Sequence, residues 1–171
     1  MNRELVIESS LEKGDFRRLT YWNMFGRNRL VPVIFAVFFI AGMLLIFLGG
    51  SNVQLKVGGL FAAVSPLIAL IMVEFNIWTV SRRGNIEERT YGRYTISDIG
   101  IRADADYLED PLIYNWRNIE SVYENSYFYV IFINRIQTIT IRKTDINDDQ
   151  EKRLRAYLRE YIRKDRNHLN G

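Results

Sequence analysis

The chain has 171 residues, of which 48% are hydrophobic and 25% are charged, and its formal net charge is +3. It contains no Cys and one His, which excludes disulfides, thiolate metal sites and most chemistry based on histidine. A charge of +3 is too small, and too dispersed along the chain, for a nucleic-acid binder. We therefore expect no nucleic-acid partner, no cofactor and no metal ion.

The N-terminal segment predicts a strand followed by a helix. Residues 1–10 contain the strand pattern ELVIES, which we assign to a cytoplasmic domain. Residues 11–29 predict an amphipathic interfacial helix, and Ser9 with Glu12 resembles a capping box at its start. An apolar stripe on this helix faces either the membrane surface or the cytoplasmic domain. The members of the stripe are Phe16, Leu19, Trp22 and Phe25.

Two long apolar runs occupy the middle of the chain. Between residues 30 and 80, 36 of the 51 residues are apolar and two are charged. Residues 30–50 and residues 57–80 each reach the roughly 20 residues that a helix needs to cross a bilayer. Residues 51–56 leave room only for a turn between antiparallel helices. We therefore predict two transmembrane helices joined by a short external loop.

Arginines flank these two runs on one side of the predicted membrane. Six of them stand in the outer flanks, whereas the connecting loop contains Lys56 alone. Because short cytoplasmic segments carry an excess of Lys and Arg, both termini are predicted to be cytoplasmic. The membrane is predicted to be the cytoplasmic (inner) membrane. The six topology residues are Arg17, Arg18, Arg27, Arg29, Arg82 and Arg83.

The second apolar run contains two features that indicate contacts inside the membrane. Gly59 and Ala63 are four residues apart, and small residues at this spacing let helix backbones approach closely. They pack against the first helix or against a partner, which includes a second copy of the chain. Glu74 is the one ionisable residue in either run, eight residues before Arg82, or about 12 Å of helix rise. It either helps to set the topology or contacts a partner or an ion.

Residues 84–171 predict a cytoplasmic domain of six strands and a helix. The run YFYVIFI is apolar throughout, which is typical of a central strand that is covered on both faces. Asn147 and Gln150 predict the start of a C-terminal helix. The apolar stripe of that helix covers the open end of a barrel, or its basic face contacts lipid. The predicted strands are residues 90–97, 99–103, 111–116, 119–123, 127–133 and 137–142.

This order of elements, together with the segment YNWRNIESV, resembles the YcxB-like family of bacterial membrane proteins. The residues that carry the resemblance are Trp116, Ile119 and Val122. Where that family has a strand ending in Pro-Lys before Phe, this chain has IRKTDI, which keeps Lys143 and lacks the proline and phenylalanine. The resemblance implies an α+β membrane protein: a two-helix hairpin and a PH-like domain. That domain would be a small β-barrel or sandwich of about seven strands, capped by a C-terminal helix.

Neither the residues nor the resemblance indicates catalysis. The serines lack a plausible His partner, and no Gly-rich phosphate loop precedes a helix. Acidic residues cluster between two predicted strands, but their spacing differs from the EF-hand pattern and predicts a solvated turn. The members of this acidic cluster are Asp104, Asp106, Glu109 and Asp110.

The preferred function is a non-enzymatic, membrane-anchored binding module. In this hypothesis the hairpin lies among the membrane lipids and holds a PH-like domain against the cytoplasmic face, and exposed strand edges and loops bind a protein partner. This class includes regulatory proteins, and it also includes immunity proteins that occlude a toxin. The alternative is an accessory subunit of a membrane complex, which acts through the hairpin by Glu74 and the small-residue face.

Overall fold

The chain divides into two compact units. The computed structural model describes residues 4–82, 90–104, 110–134 and 137–169. The hairpin unit comprises residues 12–85, and the sheet unit comprises residues 1–11 together with residues 86–171. The hairpin unit is therefore inserted after the first strand of the sheet unit, which agrees with the predicted order of elements.

Two long helices make up most of the hairpin unit. Its elements are α1 (Lys13–Tyr21), a π-helix (Trp22–Arg27), α2 (Leu30–Leu48) and α3 (Val53–Arg82). The mean hydropathy of an 18-residue stretch reaches 2.9 in α2 and 2.0 in α3, so both helices are long and apolar enough to cross a membrane. Phe25 in the π-helix packs edge-on against Phe35 of α2, with 6.0 Å between ring centroids.

The predicted position of the capping box at the start of α1 is wrong, because the box lies three residues further along the chain. The N-cap is Glu12, whose backbone N–H donates to the carboxylate of Asp15 over 3.4 Å. Ser9 belongs to the preceding strand and lies within the sheet unit. An acidic side chain near a helix N-terminus also complements the helix dipole, so Asp15 is well placed there.

The turn between α2 and α3 is shorter than the predicted loop of residues 51–56. Because the side chain of Asn52 accepts hydrogen bonds from the N–H groups of Gln54 (3.0 Å) and Leu55 (3.3 Å), α3 begins at Val53. Gly50 has a φ of +53°, a conformation that glycine adopts without steric cost. The chain therefore reverses over residues 49–52.

The first sheet of the sheet unit is antiparallel and has the order β1-β2-β3-β4. Alternation between buried and exposed residues is clearest in β1, where Leu5 and Ile7 face the core. Its strands are β1 (Leu5–Ser9), β2 (Gly92–Ile96), β3 (Gly100–Asp104) and β4 (Leu112–Asn115).

The second sheet has the order β7-β6-β5-β8, and β8 runs parallel to β5. Every residue of β6 is buried, which confirms the prediction from the apolar run YFYVIFI. In β7, Ile139 and Ile141 are buried and their neighbours are not, which is the alternation of a strand with one buried face. The strands are β5 (Ser121–Glu124), β6 (Phe128–Phe132), β7 (Thr138–Arg142) and β8 (Asn167–His168).

The strands do not close into a barrel, so that form of the fold prediction is wrong. Within the described residues there are two four-stranded sheets, and β8 is one strand more than predicted. A 3₁₀ helix, Trp116–Asn118, separates β4 from β5 and carries the chain from one sheet to the other. Where β1 meets β7, the hydroxyl of Ser9 accepts from the N–H of Arg142 over 3.0 Å. Among the described residues, side-chain hydrogen bonds therefore link β1 to β7 and its following turn in place of a strand ladder.

The C-terminal helix, α4 (Asp148–Tyr161), packs its apolar face into the core of the sheet unit. Its N-cap is Asn147, which accepts from the N–H of Gln150 over 2.8 Å and confirms the predicted start. Leu154 and Leu158 are fully buried among residues of both sheets. The burial of these leucines agrees with the predicted role of the apolar stripe as a cover.

Candidate functional site

Trp116 is a core residue that also forms one wall of a cleft. Its indole N–H donates to the carbonyl oxygen of Ser97 over 2.9 Å. Its ring stacks on Tyr161 at 5.2 Å between centroids and on Tyr157 at 6.4 Å. These contacts tie the 3₁₀ helix to β2 and α4 and fix the indole plane.

The three residues that carry the family resemblance have a structural role, because they are buried in the core. Trp116 is 8% exposed, Ile119 is 2% exposed and Val122 is fully buried. All three belong to one core cluster that includes residues of both sheets and of α4. Their burial gives these three residues a role in holding the two sheets and α4 together.

A cleft of about 820 Å³ opens beside this wall, and we call it the Trp116 cleft. Three exposed arginines line it, Arg117, Arg163 and Arg166, whereas Asp98 is the one carboxylate among the described lining residues. Clefts of 300–1,000 Å³ are the usual size for ligand sites. The lining comes from residues 98–99, 115–119, 161–163 and 166.

Strand β4 lies at the edge of the first sheet and leads directly into the Trp116 cleft. Among the described strands it pairs with β3 alone. Leu112 and Ile113 are 39% and 62% exposed, and Ile99 in the β2–β3 turn is 73% exposed. An exposed edge strand with apolar side chains is a template for a further strand.

The opposite edge of the same sheet, β1, is covered by α4. The carbonyl oxygen of Val6 accepts from the side-chain amide of Gln150 over 3.0 Å. The carbonyl oxygen of Glu4 accepts from the guanidinium of Arg153, also over 3.0 Å. The two edges of the sheet therefore differ, and β4 is the better candidate for strand addition.

A buried carboxylate organises a second polar site, which we call the Glu124 cluster. The side chain of Glu124 is completely buried at the end of β5 and accepts from Lys143 Nζ over 2.6 Å. It also accepts from the guanidinium of Arg155 over 2.5 Å and from the hydroxyl of Tyr129 over 3.3 Å. That hydroxyl is 2.6 Å from a carboxylate oxygen of Glu151. Because opposite charges surround Glu124, its burial is compensated.

The titration behaviour of the cluster follows from its geometry. Burial, followed by the hydrogen bond to Glu151, raises the pKa of Tyr129 above the ordinary range of a phenol. The same hydrogen bond, together with the charges of Arg155 and Lys143, lowers the pKa of Glu151. Both shifts favour a neutral phenol beside a charged carboxylate, which is an arrangement that stabilises the fold.

Glu74, the ionisable residue of the second apolar run, contacts α1 within the hairpin unit. It accepts from Arg17 Nη2 over 2.7 Å and Nε over 3.0 Å, and from the hydroxyl of Tyr21 over 2.6 Å. The hydrogen bond to Glu74 raises the pKa of Tyr21. The sequence offered two roles for Glu74 and did not identify Arg17 and Tyr21 as its partners.

Gly59 and Ala63 lie where α2 and α3 pack most closely. Both are buried and face Gly42 of α2. A Cβ at Gly59 would lie 2.7 Å from the carbonyl oxygen of Gly42, a distance that forces a displacement. Within one chain, the predicted small-residue face is therefore used for packing between α2 and α3.

The predicted topology arginines are exposed wherever the structure describes them. Arg18 lies 3.5 Å from the carboxylate of Asp15, and Arg27 donates to the side chain of Asn23 over 3.5 Å. The guanidinium of Arg82 sits over the ring of Trp78 at 4.0 Å, a cation–π contact. Arg29 is exposed at the start of α2. Arg83 lies outside the described residues.

The predicted acidic turn is described only at its ends. Asp106 and Glu109 lie outside the described residues. Asp104 forms an ion pair with Arg102 over 3.1 Å, and Asp110 is exposed. Within the part of the chain that the structure describes, no group of three or more His, Asp or Glu side chains could hold a metal ion.

Comparison with known proteins gives one match. Searches of curated proteins and of solved structures found nothing similar to this chain. Residues 98–158 match the model of the family described as YcxB-like protein, a stretch that runs from the β2–β3 turn to Leu158 in α4 and includes Trp116, Ile119 and Val122. The predicted resemblance is thereby confirmed over residues 98–158, which are similar to that family.

Proposed function

We propose that this protein is a non-enzymatic binding module, anchored in the inner membrane by α2 and α3, whose PH-like sheet unit captures a protein partner in the cytoplasm. The observation that carries the proposal is the asymmetry of the first sheet. Side chains of α4 cover the β1 edge, whereas β4 presents Leu112 and Ile113 to solvent. A regulatory protein and an immunity protein that occludes a toxin would both use such an edge.

The geometry of α3 supports its placement in the membrane. From Val53 to Glu74 the helix rises about 30 Å, which equals the thickness of the hydrocarbon core. The carboxylate of Glu74 then reaches the cytoplasmic boundary, where Arg17 and Tyr21 bind it. In this arrangement Arg82 and Trp78 stand among the lipid headgroups, where arginine and tryptophan are enriched.

The mode of capture that fits β4 is strand addition. A partner segment in extended conformation would bond to the main chain of β4, and its alternate side chains would contact the exposed apolar residues. Ile113 is the most exposed of the large apolar residues on β4, so it reports on this contact. Val6 on β1 is 36% exposed and serves as the matched position on the covered edge.

Photochemical cross-linking in native membranes tests the proposal. The full chain carries benzoylphenylalanine at position 113 or, in the control, at position 6. We expect adducts to another protein from position 113 and none above background from position 6. If the adducts from position 113 are lost when Leu112→Lys is added to the same chain, the result would support strand addition. Equal labelling from both positions would contradict it.

The accessory-subunit function is the second candidate, and the contacts of Glu74 make it the weaker one. Arg17 and Tyr21 already bind the carboxylate within the chain. Glu74→Gln should leave the cross-linking from position 113 unchanged. A loss of that cross-linking, with the protein still present in the membrane, would shift the preference to the hairpin.

Reporter fusions at Ser51 and Gly171 would test the proposed topology, and an external C-terminus would overturn it.

A further inference from the structure

We infer that the segment captured by β4 is acidic where it leaves the strand, and that the Trp116 cleft binds its carboxylates. This inference rests on the proposed function, because it assigns the chemistry of the partner at the same edge. Asn115, the last residue of β4, also lines the cleft. An extended segment that follows β4 toward this end of the strand therefore continues into the cleft.

The charges of the cleft favour an anionic occupant. Three arginines line it against one aspartate among the described residues. Arg163 lies 3.2 Å from Asp165, but both side chains are more than half exposed. Exposed ion pairs of this kind contribute little, so a competing carboxylate can recruit the guanidinium. Arginine also binds carboxylates through two parallel hydrogen bonds, which adds geometric specificity.

The position of the cleft favours a peptide over a lipid headgroup. A headgroup would use the arginines alone, whereas a peptide also uses the edge of β4 and the exposed side chain of Ile113. The rigid aromatic wall formed by Trp116 and Tyr161, with 5.2 Å between their centroids, holds one side of the cleft in place. A fixed wall lowers the cost of ordering the site when a segment binds.

Three fluorescein-labelled peptides test the inference with the full chain in phosphatidylcholine nanodiscs. Their sequences are EEETVTVTEEE, QQQTVTVTQQQ and KKKTVTVTKKK, which share a strand-forming centre and carry the same charge at both ends, so that a charged end reaches the cleft in either strand direction. Fluorescence anisotropy should show the acidic peptide binding about tenfold more tightly than the neutral one, with the basic one weakest. The neutral peptide reports on strand addition, and the difference between peptides reports on the cleft.

Two pairs of variants locate the effect. Arg117→Glu combined with Arg166→Glu should abolish the preference for the acidic peptide and leave the binding of the neutral one unchanged. Arg159→Glu, on the exposed face of α4 and outside the cleft lining, should retain the preference. Ile113→Lys should weaken the binding of all three peptides, and Val6→Lys should weaken none.

The possible failures are distinguishable. Equal binding of the three peptides, still lost in Ile113→Lys, would overturn the acidic occupant and leave the proposed strand addition in place. Absence of binding for all three peptides would overturn both. A lipid would be the occupant of the cleft, and the peptide would be overturned, if two results were obtained together. The first is equal or absent binding of the three peptides. The second is binding of soluble dioctanoyl phosphatidylglycerol that is lost in the Arg117→Glu, Arg166→Glu variant.

Discussion

Each unit of the molecule contains a carboxylate that is bound by an arginine and a tyrosine, Glu124 in the sheet unit and Glu74 in the hairpin unit, and these two differ in burial. In the sheet unit, Glu124 is completely buried and contacts Lys143, Arg155 and Tyr129. In the hairpin unit, the side chain of Glu74 is 39% exposed and contacts Arg17 and Tyr21. A buried charge that loses its partners is expensive, whereas a half-exposed charge recovers water. Similar constellations should therefore contribute very differently to stability.

The largest effect should come from removing both cations of the Glu124 cluster. Lys143→Met combined with Arg155→Met leaves the carboxylate of Glu124 buried without these two cations, and should lower the free energy of unfolding by about 3–5 kcal/mol. Urea unfolding in detergent micelles measures this, with Trp22 and Trp78 replaced by Phe so that Trp116 alone reports. The matched control, Lys152→Met with Arg159→Met, removes two exposed cations of α4. A loss below about 1 kcal/mol in the first variant would contradict the comparison.

The hairpin unit should be more sensitive to backbone spacing than to charge. Gly59→Ala places a methyl group 2.7 Å from the carbonyl oxygen of Gly42, so the helices must separate, at about 1–3 kcal/mol. In Gly58→Ala the new methyl group meets no atom within 4 Å. That neighbour should be neutral or slightly stabilising, because alanine favours a helix over glycine.

Unfolding by sodium dodecyl sulfate in mixed micelles, followed by Trp78 fluorescence, measures both glycine variants. The two substitutions add the same atoms one residue apart, so only the helix face differs. If Gly58→Ala and Gly59→Ala gave the same midpoint, close packing of α2 on α3 would not explain the stability of the hairpin.

The fold was largely predictable from local patterns, whereas the polar sites were not. The uniform apolarity of YFYVIFI identified β6 as central, and Asn147 with Gln150 identified the start of α4. Local patterns carry this information because they repeat with the period of the strand or helix. The closed barrel was wrong because, among the described residues, no ladder joins the two sheets: β4 is an edge strand, and β1 and β7 are linked through the side chain of Ser9.

The polar sites depend on residues that are distant in sequence. Glu124 and Arg155 are 31 residues apart, and Arg17 and Glu74 are 57 apart. No periodic pattern links such positions, so only the folded chain identifies the partners. Glu74 could be singled out because a lone acid in an apolar run is conspicuous. In the sequence, Glu124 has polar residues nearby on both sides, so nothing distinguished it from an ordinary surface residue.

A smaller effect should follow from Glu74→Gln. Exposed ion pairs such as Arg17–Glu74 contribute little to stability, so the hairpin should remain folded while α1 becomes less well held. Hydrogen exchange of the amides in residues 13–21 should be faster in this variant. The matched control is Arg18→Gln, since Arg18 contacts Asp15 instead of Glu74. Unfolding of the whole hairpin by Glu74→Gln would remove the contrast between the two carboxylates.

The smallest effect should be a pH dependence confined to the sheet unit. The hydrogen bond from Tyr129 lowers the pKa of Glu151, so Glu151 contributes stability above its unfolded pKa of 4.5 and loses it as the pH falls through the folded value. Burial raises the pKa of Tyr129, so its contribution is complete below the unfolded pKa of 10.0 and declines as the pH rises above it. Urea unfolding reported by Trp116 should therefore show an acid limb that Glu151→Gln flattens and an alkaline limb that Tyr129→Phe flattens. An acid limb that survives Glu151→Gln unchanged would assign that limb to another carboxylate, and an alkaline limb that survives Tyr129→Phe unchanged would remove the share of Tyr129 in the stability of the Glu124 cluster.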